Sequence, residues 1–252
     1  MTLFQDFHIL YPATQHYIWH GVQTGLFYRC ILLKSSLNNS LTLNNSLIRL
    51  ETTPVPYISV WLIPTETDRA FLQSLISQIA QQYQSVAFCP HVTLFSVPVT
   101  KINQNLVSSP LSSPWDLSEI DWDEHLSIVL SKFSPFFLKT IHIGWGRTFA
   151  KTVFVQLETT STLLAFIQAM RNSITQGPAT QAIEQIIDPH ISLIYKHLDN
   201  KRKVAIAQST TLHQHTFGFS EFQIVKAPSQ FETQEDVQAL RCIYRQTLNN
   251  GP

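Results

Sequence analysis

Two short segments carry the residues best suited to chemistry, Pro90-His91-Val92-Thr93-Leu94 and Pro189-His190-Ile191-Ser192-Leu193. In each, an imidazole and a hydroxyl stand two residues apart, and the copies are separated by a constant 99 residues. On a strand, residues i and i+2 point to the same side, about 6 to 7 Å apart. His91 and Thr93 therefore share a face, as do His190 and Ser192, while Val92, Leu94, Ile191 and Leu193 face the opposite way into a core. Core packing accounts for recurring aliphatic residues, but it gives no reason for a histidine and a hydroxyl to recur together on the other face. Two imidazoles flanking a phosphodiester can carry out an in-line displacement, one neutral as base for water and the other protonated as acid for the leaving oxygen. An unperturbed pKa of about 6.5 admits both forms near neutrality. The hydroxyls of Thr93 and Ser192 can donate to the non-bridging oxygens, where transition-state charge accumulates. No metal is implied.

The elements that must position these motifs follow a repeated order. Tyr57 to Ile63 alternates and reads as a strand, ended by Pro64. Thr65 with Asp68 resembles a capping box opening a helix whose face carries Phe71, Leu72, Leu75, Ile76, Ile79, Ala80 and Tyr83. A strand from Ala87 to Val97 then bears the first motif. A Ser/Pro-rich loop, Ser108 to Pro114, and a helix, Asp123 to Phe133, lead to the second round. That round is a strand from Thr152 to Leu157, a helical face of Leu163, Leu164, Ile167, Met170 and Ile174, a break at Gly177-Pro178, and the second motif. A helix from Asp199 to Gln208, a strand from Phe217 to Val225 and a C-terminal helix with Val237, Leu240, Ile243, Tyr244 and Leu248 complete the chain. Such an internal repeat predicts an α+β fold that is bilobal and pseudo-twofold, with antiparallel sheets facing across a central cleft. The turn signal Gly144-Trp145-Gly146 favours hairpins over a parallel sheet.

Residues 1–56 differ in texture, being rich in Asn, Ser, Thr and Leu. They contain a tandem six-residue unit, Ser36-Leu37-Asn38-Asn39-Ser40-Leu41 and Thr42-Leu43-Asn44-Asn45-Ser46-Leu47. This low-complexity pattern has no helix or strand period and reads as a poorly ordered extension, leaving residues 57–252 as the two-lobed domain.

Composition narrows the partners. With 17 Lys+Arg against 17 Asp+Glu, the chain lacks the basic excess that holds duplex nucleic acid by phosphate neutralisation. The nearest cluster, Lys201-Arg202-Lys203, caps a surface helix, so a small nucleotide or a cyclic-phosphate RNA end is favoured over a long RNA track. Cys30, Cys89 and Cys242 form no CxxC pair, which suggests neither a disulfide framework nor a cysteine-based zinc site, and places the protein in a reducing compartment. No apolar run approaches the roughly 20 residues of a membrane span, so a soluble, cytoplasmic monomer is expected. His16 with His20 and His213 with His215 have metal-like spacings but no third ligand, so no metal or cofactor is assigned. Cys89 lies two residues before His91, but its counterpart is Asp188, which argues against a shared nucleophile. Trp145, between two glycines, is a better candidate for stacking a base than Trp61, which reads equally well as core.

On these residues the chain resembles the two-histidine phosphoesterase superfamily, specifically the plant and fungal type of cyclic phosphodiesterase. The resemblance covers about Tyr57 to Val225. It rests on Ser59-Val60-Trp61-Leu62-Ile63-Pro64, on Phe88-Cys89-Pro90-His91-Val92-Thr93-Leu94, and on Pro189-His190-Ile191-Ser192-Leu193-Ile194-Tyr195. It implies metal-independent hydrolysis of 2',3'-cyclic nucleotides to 2'-phosphates, or of ADP-ribose 1'',2''-cyclic phosphate, a tRNA-splicing product, to the 1''-phosphate. It further implies His91 and His190 as acid and base, with Thr93 and Ser192 as phosphate ligands and Tyr195 near the substrate. Tyr195 lies three residues beyond Ser192 and reaches the same face only if the strand ends or bulges first. Rival readings are an RNA-end enzyme of the same superfamily, either 2'-5' RNA ligase-like or exonucleolytic, and a non-catalytic nucleotide-binding module.

Overall fold

The alternating β-formers after Pro56 form strand β1 (Tyr57–Pro64), and Pro64 closes it before helix α1 (Glu66–Tyr83). The computed structural model of the protein describes residues 55–103, 106, 117, 120–175, 187–212 and 215–248. The expectations for the chain up to residue 54, for Ser108–Pro114, for Gly177-Pro178 and for His213 lie outside these. Strand β2 (Val92–Pro98) follows α1, then helix α2 (Trp122–Leu130), strands β3 (Phe136–Trp145) and β4 (Val153–Leu157), helix α3 (Ser161–Ile174) and strand β5 (His190–Ile194). The chain ends with α4 (Asn200–Ser209), β6 (Thr216–Ala227), α5 (Gln234–Ala239) and β7 (Arg241–Thr247). The fold is α+β. Among the described residues no helix is long and apolar enough to cross a membrane.

Every strand pairing is antiparallel, in the order β1-β2-β5-β4-β3-β6-β7, with β1 also pairing with β6. The circuit β1-β2-β5-β4-β3-β6 therefore closes on itself. Its two halves repeat the same unit, β1-α1-β2 and β4-α3-β5. β6 is long enough to serve both: one edge pairs with β1, while the other takes β3 at Thr216–Phe219 and β7 at Glu221–Lys226. The core runs continuously through both halves and includes Leu72, Ile76, Leu126, Phe166, Phe217, Phe219 and Phe222.

Local departures from the sequence expectations have identifiable causes. Thr65 and Asp68 do not form a capping box, because Gly218 of β6 takes both groups. Thr65 N donates to Gly218 O at 2.8 Å, and Gly218 N donates to Asp68 Oδ2 at 2.6 Å. The bond that would have closed α1 on itself instead ties it to β6. Leu164 is exposed on α3, and Phe166 takes the buried position between Leu163 and Ile167. The expected C-terminal helix is only the six residues of α5, closed by a capping box between Thr233 and Asp236. Beyond it the β-prone Cys242-Ile243-Tyr244 run is captured by the open edge of β6, whose unpaired backbone groups offer more than helix continuation would. The first motif strand also starts late, at Val92 rather than Ala87, since Pro90 has no N–H for a ladder.

The connection from β3 to β4 is tight. β3 runs through Gly144 and Trp145, and the turn begins only at Gly146, whose N–H bonds Thr152 O at 3.0 Å. Buried Thr152 holds the 3₁₀ turn Phe149–Lys151 through its hydroxyl, 2.7 Å from Lys196 O, and Lys203 Nζ donates to Gly146 O at 2.8 Å. Lys203 thus points inward, while Lys201 and Arg202 stay exposed at the start of α4. A Cβ on Gly146 would overlap the Lys151 carbonyl oxygen, a backbone atom that cannot swing aside. Gly146→Ala is therefore expected to cost about 1–3 kcal/mol, measured by urea denaturation, and to disturb the Phe149–Lys151 turn.

Candidate active site

Strands β2 and β5 are neighbours, and their ladder pairs Val92 with Ile191, the central residues of the two motifs. Antiparallel continuation of that register sets His91 level with Ser192 and Thr93 level with His190. The histidines then lie on a diagonal, with backbones about 7–8 Å apart. Val92, Leu94, Ile191 and Leu193 are buried on the opposite face, as the period of two requires. All four polar residues line one pocket of about 440 Å³, together with Trp61, Tyr195 and Lys151.

The two imidazoles are oriented identically. His91 Nδ1 lies 2.7 Å from Cys89 O, and His190 Nδ1 lies 2.7 Å from Asp188 O. A carbonyl can only accept, so Nδ1 carries the hydrogen and the Nε2 lone pair of each neutral ring is left available. The intervening Pro90 and Pro189 hold the preceding residue in extended backbone, which presents that carbonyl to the ring.

Their surroundings differ. His91 is 4% exposed and stacks on Trp61, with ring centroids 3.6 Å apart and planes 9° apart. Trp61 is itself fixed by donation from Nε1 to Ser59 Oγ at 2.9 Å. Burial pushes the His91 pKa down to about 4; the Cys89 carbonyl opposes this and the nearby His190 adds to it. β5 ends at Ile194, so Tyr195 escapes the strand alternation and its hydroxyl reaches His91 Nε2 at 3.2 Å. With Nδ1 protonated, Tyr195 is the donor. Burial raises its phenol, stacked on Phe88 at 3.8 Å, and keeps it protonated. His190 is less enclosed and meets the Phe154 ring edge-on at 5.4 Å. Burial lowers its pKa too, the Asp188 carbonyl opposes, and the charge of Lys151 lowers it further.

The hydroxyls are also unequal. Thr93 is exposed on the pocket wall, whereas Ser192 is buried and donates to Ala150 O at 2.6 Å. To donate to a ligand, Ser192 must first rotate away from that carbonyl.

Sequence reasoning missed Lys151 and the part played by Asp188. The Lys151 ammonium pairs with the Asp188 carboxylate and sits 4.1 Å from the Phe154 ring centroid. Burial alone would raise the Asp188 pKa, but hydrogen bonds from Lys151 and Gln156 and the charge of Lys151 hold it below its ordinary value. Asp188 corresponds to Cys89 in the first half, which forms no ion pair with a lysine, so the repeat could not reveal the Lys151–Asp188 pair. Trp145 is half-exposed and does not line the pocket, whereas Trp61 does, reversing the expected preference. Cys89 is not among the pocket-lining residues, and burial pushes its thiol pKa up, away from the thiolate a nucleophile needs.

The family model for cyclic phosphodiesterase-like proteins matches residues 57–242. The chain belongs to that family. It is thereby a two-histidine phosphoesterase, and the matched span contains both motifs and every pocket residue named above. Among solved structures, E. coli LigT in its apo form is 13% identical, with a TM-score of 0.43, covering 79% of this chain and 100% of that one. E. coli LigT complexed with 3'-AMP is 14% identical with a TM-score of 0.39, covering 77% and 99%. A structure described as a phosphoesterase is 13% identical with a TM-score of 0.39, covering 78% and 100%. No curated protein sequence matches.

A histidine buried neutral couples the site of this phosphoesterase to its stability. Between pH 6.5 and about 4 the unfolded chain binds a proton at His91 that the folded chain does not, so stability falls as pH falls through that window. The loss is about 2 kcal/mol between pH 7 and pH 5, at 1.36 kcal/mol per pKa unit. Urea denaturation at the two pH values should show this loss in the wild type, and a loss smaller by that amount in His91→Gln.

Proposed function

We propose that the protein is a cyclic phosphodiesterase of the plant and fungal kind. It would hydrolyse a 2',3'-cyclic nucleotide or ADP-ribose 1'',2''-cyclic phosphate to a phosphomonoester. The observation that carries the reading is the Val92–Ile191 register, which puts two imidazoles with available Nε2 atoms and two hydroxyls on one face of one pocket. A volume of about 440 Å³ suits a small ligand, and Trp61 and Phe231 give it aromatic walls.

His91 is the base. Burial keeps it neutral at pH 7, and Tyr195 already engages Nε2 with a proton donor that the phosphoryl group can draw off. His190, more open to solvent, is the acid, acting in its imidazolium form with hydrogens on both Nδ1 and Nε2. Water loses a proton to His91 Nε2 as its oxygen bonds to phosphorus, the P–O3' bond breaks, and the departing 3' oxygen takes the proton from His190 Nε2. A 2'-phosphate and a free 3'-hydroxyl leave, and proton exchange with solvent restores both rings. Thr93, Ser192 and Tyr195 hold the non-bridging oxygens, where donors fixed in advance lower the barrier most.

The test is hydrolysis of 2',3'-cyclic AMP in EDTA. Wild-type turnover should survive chelation, and His91→Ala and His190→Ala should each lose roughly 10²–10⁴-fold in kcat. A folded wild type that turns over no cyclic phosphodiester would overturn the reading.

A further inference from the structure

The strongest unassigned feature of the pocket is Lys151, the one lysine or arginine among its described lining residues. A phosphodiester is an anion before reaction and gains charge on its non-bridging oxygens during it, and the protonated His190 gives up its proton to the leaving oxygen, so the two imidazoles and two hydroxyls leave little lasting formal compensation. Lys151 is placed to supply it. It sits on a turn held by Thr152 and Ser192, with Ser192 bonding the carbonyl of the adjacent Ala150. Its ammonium group lies over the Phe154 ring, which also packs against His190, so the charge is beside the second motif.

We propose that Lys151 is an exchangeable phosphate ligand, whose ammonium group rests on Asp188 and passes to a non-bridging phosphoryl oxygen beside His190 when a phosphodiester occupies the pocket. This inference rests on the proposed function and extends it.

Two observations make exchange cheap. The Lys151 and Asp188 side chains are 21% and 45% exposed, and solvent screening leaves an ion pair in that setting weak. The Asp188 side chain is open to water, so its carboxylate remains solvated after Lys151 leaves and is not stranded. A charge-assisted bond to a phosphoryl oxygen inside an apolar pocket is the stronger partner. Asp188 thus acts as a store for the ammonium group, while its backbone carbonyl independently orients His190.

The experiment compares K151M, K151R and D188N in the full chain by two readouts. These are inorganic phosphate affinity, followed by protein chemical shifts, and kcat and KM on 2',3'-cyclic AMP. K151M is expected to weaken phosphate at least tenfold and lower kcat/KM by at least as much. K151R should restore most of both. D188N frees the lysine and should bind phosphate as tightly as wild type or more tightly. A purely structural bridge predicts instead that K151M and D188N do equal harm, and that result overturns the proposal, as does phosphate affinity in K151M within twofold of wild type. Normal turnover in wild type and K151M alike removes Lys151 and leaves the proposed function standing. Lysine-dependent phosphate binding without any turnover by wild type removes that function and leaves the ligand.

Discussion

The ladder contact between Val92 and Ile191 is the constraint on which the site depends. Side chains on a strand alternate with a period of two, so a one-residue slip between β2 and β5 would send a whole motif to the opposite face. The register is defended from the buried side. Val92, Leu94, Ile191 and Leu193 are enclosed by core residues of both halves, and exposing that set would forfeit about 1.5–3 kcal/mol for each side chain. The polar face inherits its precision from the apolar one. Closure of the strand circuit through β6 adds a second restraint, because neither half can slide without breaking pairings on the far side as well.

Symmetry of backbone and asymmetry of solvation then divide the labour. The carbonyl two residues upstream fixes the same tautomer in both rings, so each Nε2 could serve as donor or acceptor. What distinguishes them is what surrounds the ring. Trp61, Phe88 and Tyr195 enclose His91 and penalise its charged form, whereas His190 has solvent nearby and a carboxylate at Asp188 that opposes the lowering of its pKa. A duplicated motif with identical orientation and unequal burial yields two histidines that both favour the neutral form, and the less enclosed His190, beside the Asp188 carboxylate, is the one better able to take up a proton for the proposed reaction.

The sequence made the repeated unit legible because its signals are local. The strand and helix periods around α1 and α3, the proline before each histidine and the constant offset all lie within short windows. The C-terminal segment misled for the same reason. Val237, Leu240, Ile243 and Tyr244 fit a helical face locally, and only the open edge of β6, fixed by residues far upstream, decides that Arg241–Thr247 becomes β7. The contribution of Asp68 was likewise hidden, since its partner Gly218 is 150 residues away. Within the site, the paired residues His91, Thr93, His190 and Ser192 could be read from duplication. The Lys151–Asp188 ion pair is not duplicated, since the counterpart of Asp188 is Cys89, so nothing in the repeat pointed to it. The commitment of Ser192 to Ala150 depends on a turn whose path no motif encodes.

A chain with balanced charge can still hold an anion, because binding depends on the local field and not on the total. The pocket places one ammonium group, hydroxyl donors and two imidazoles against Trp61, Phe231 and Leu240, and apolar walls weaken the solvent screening that would otherwise blunt each contact. The same arrangement disfavours a long polyanion. A phosphate track requires cations repeating along the surface, yet Lys203 is turned inward to Gly146, and Arg202 is paired with Asp199. Under the proposed function the attraction is concentrated at a single phosphoryl position, which is what a small cyclic phosphodiester would present.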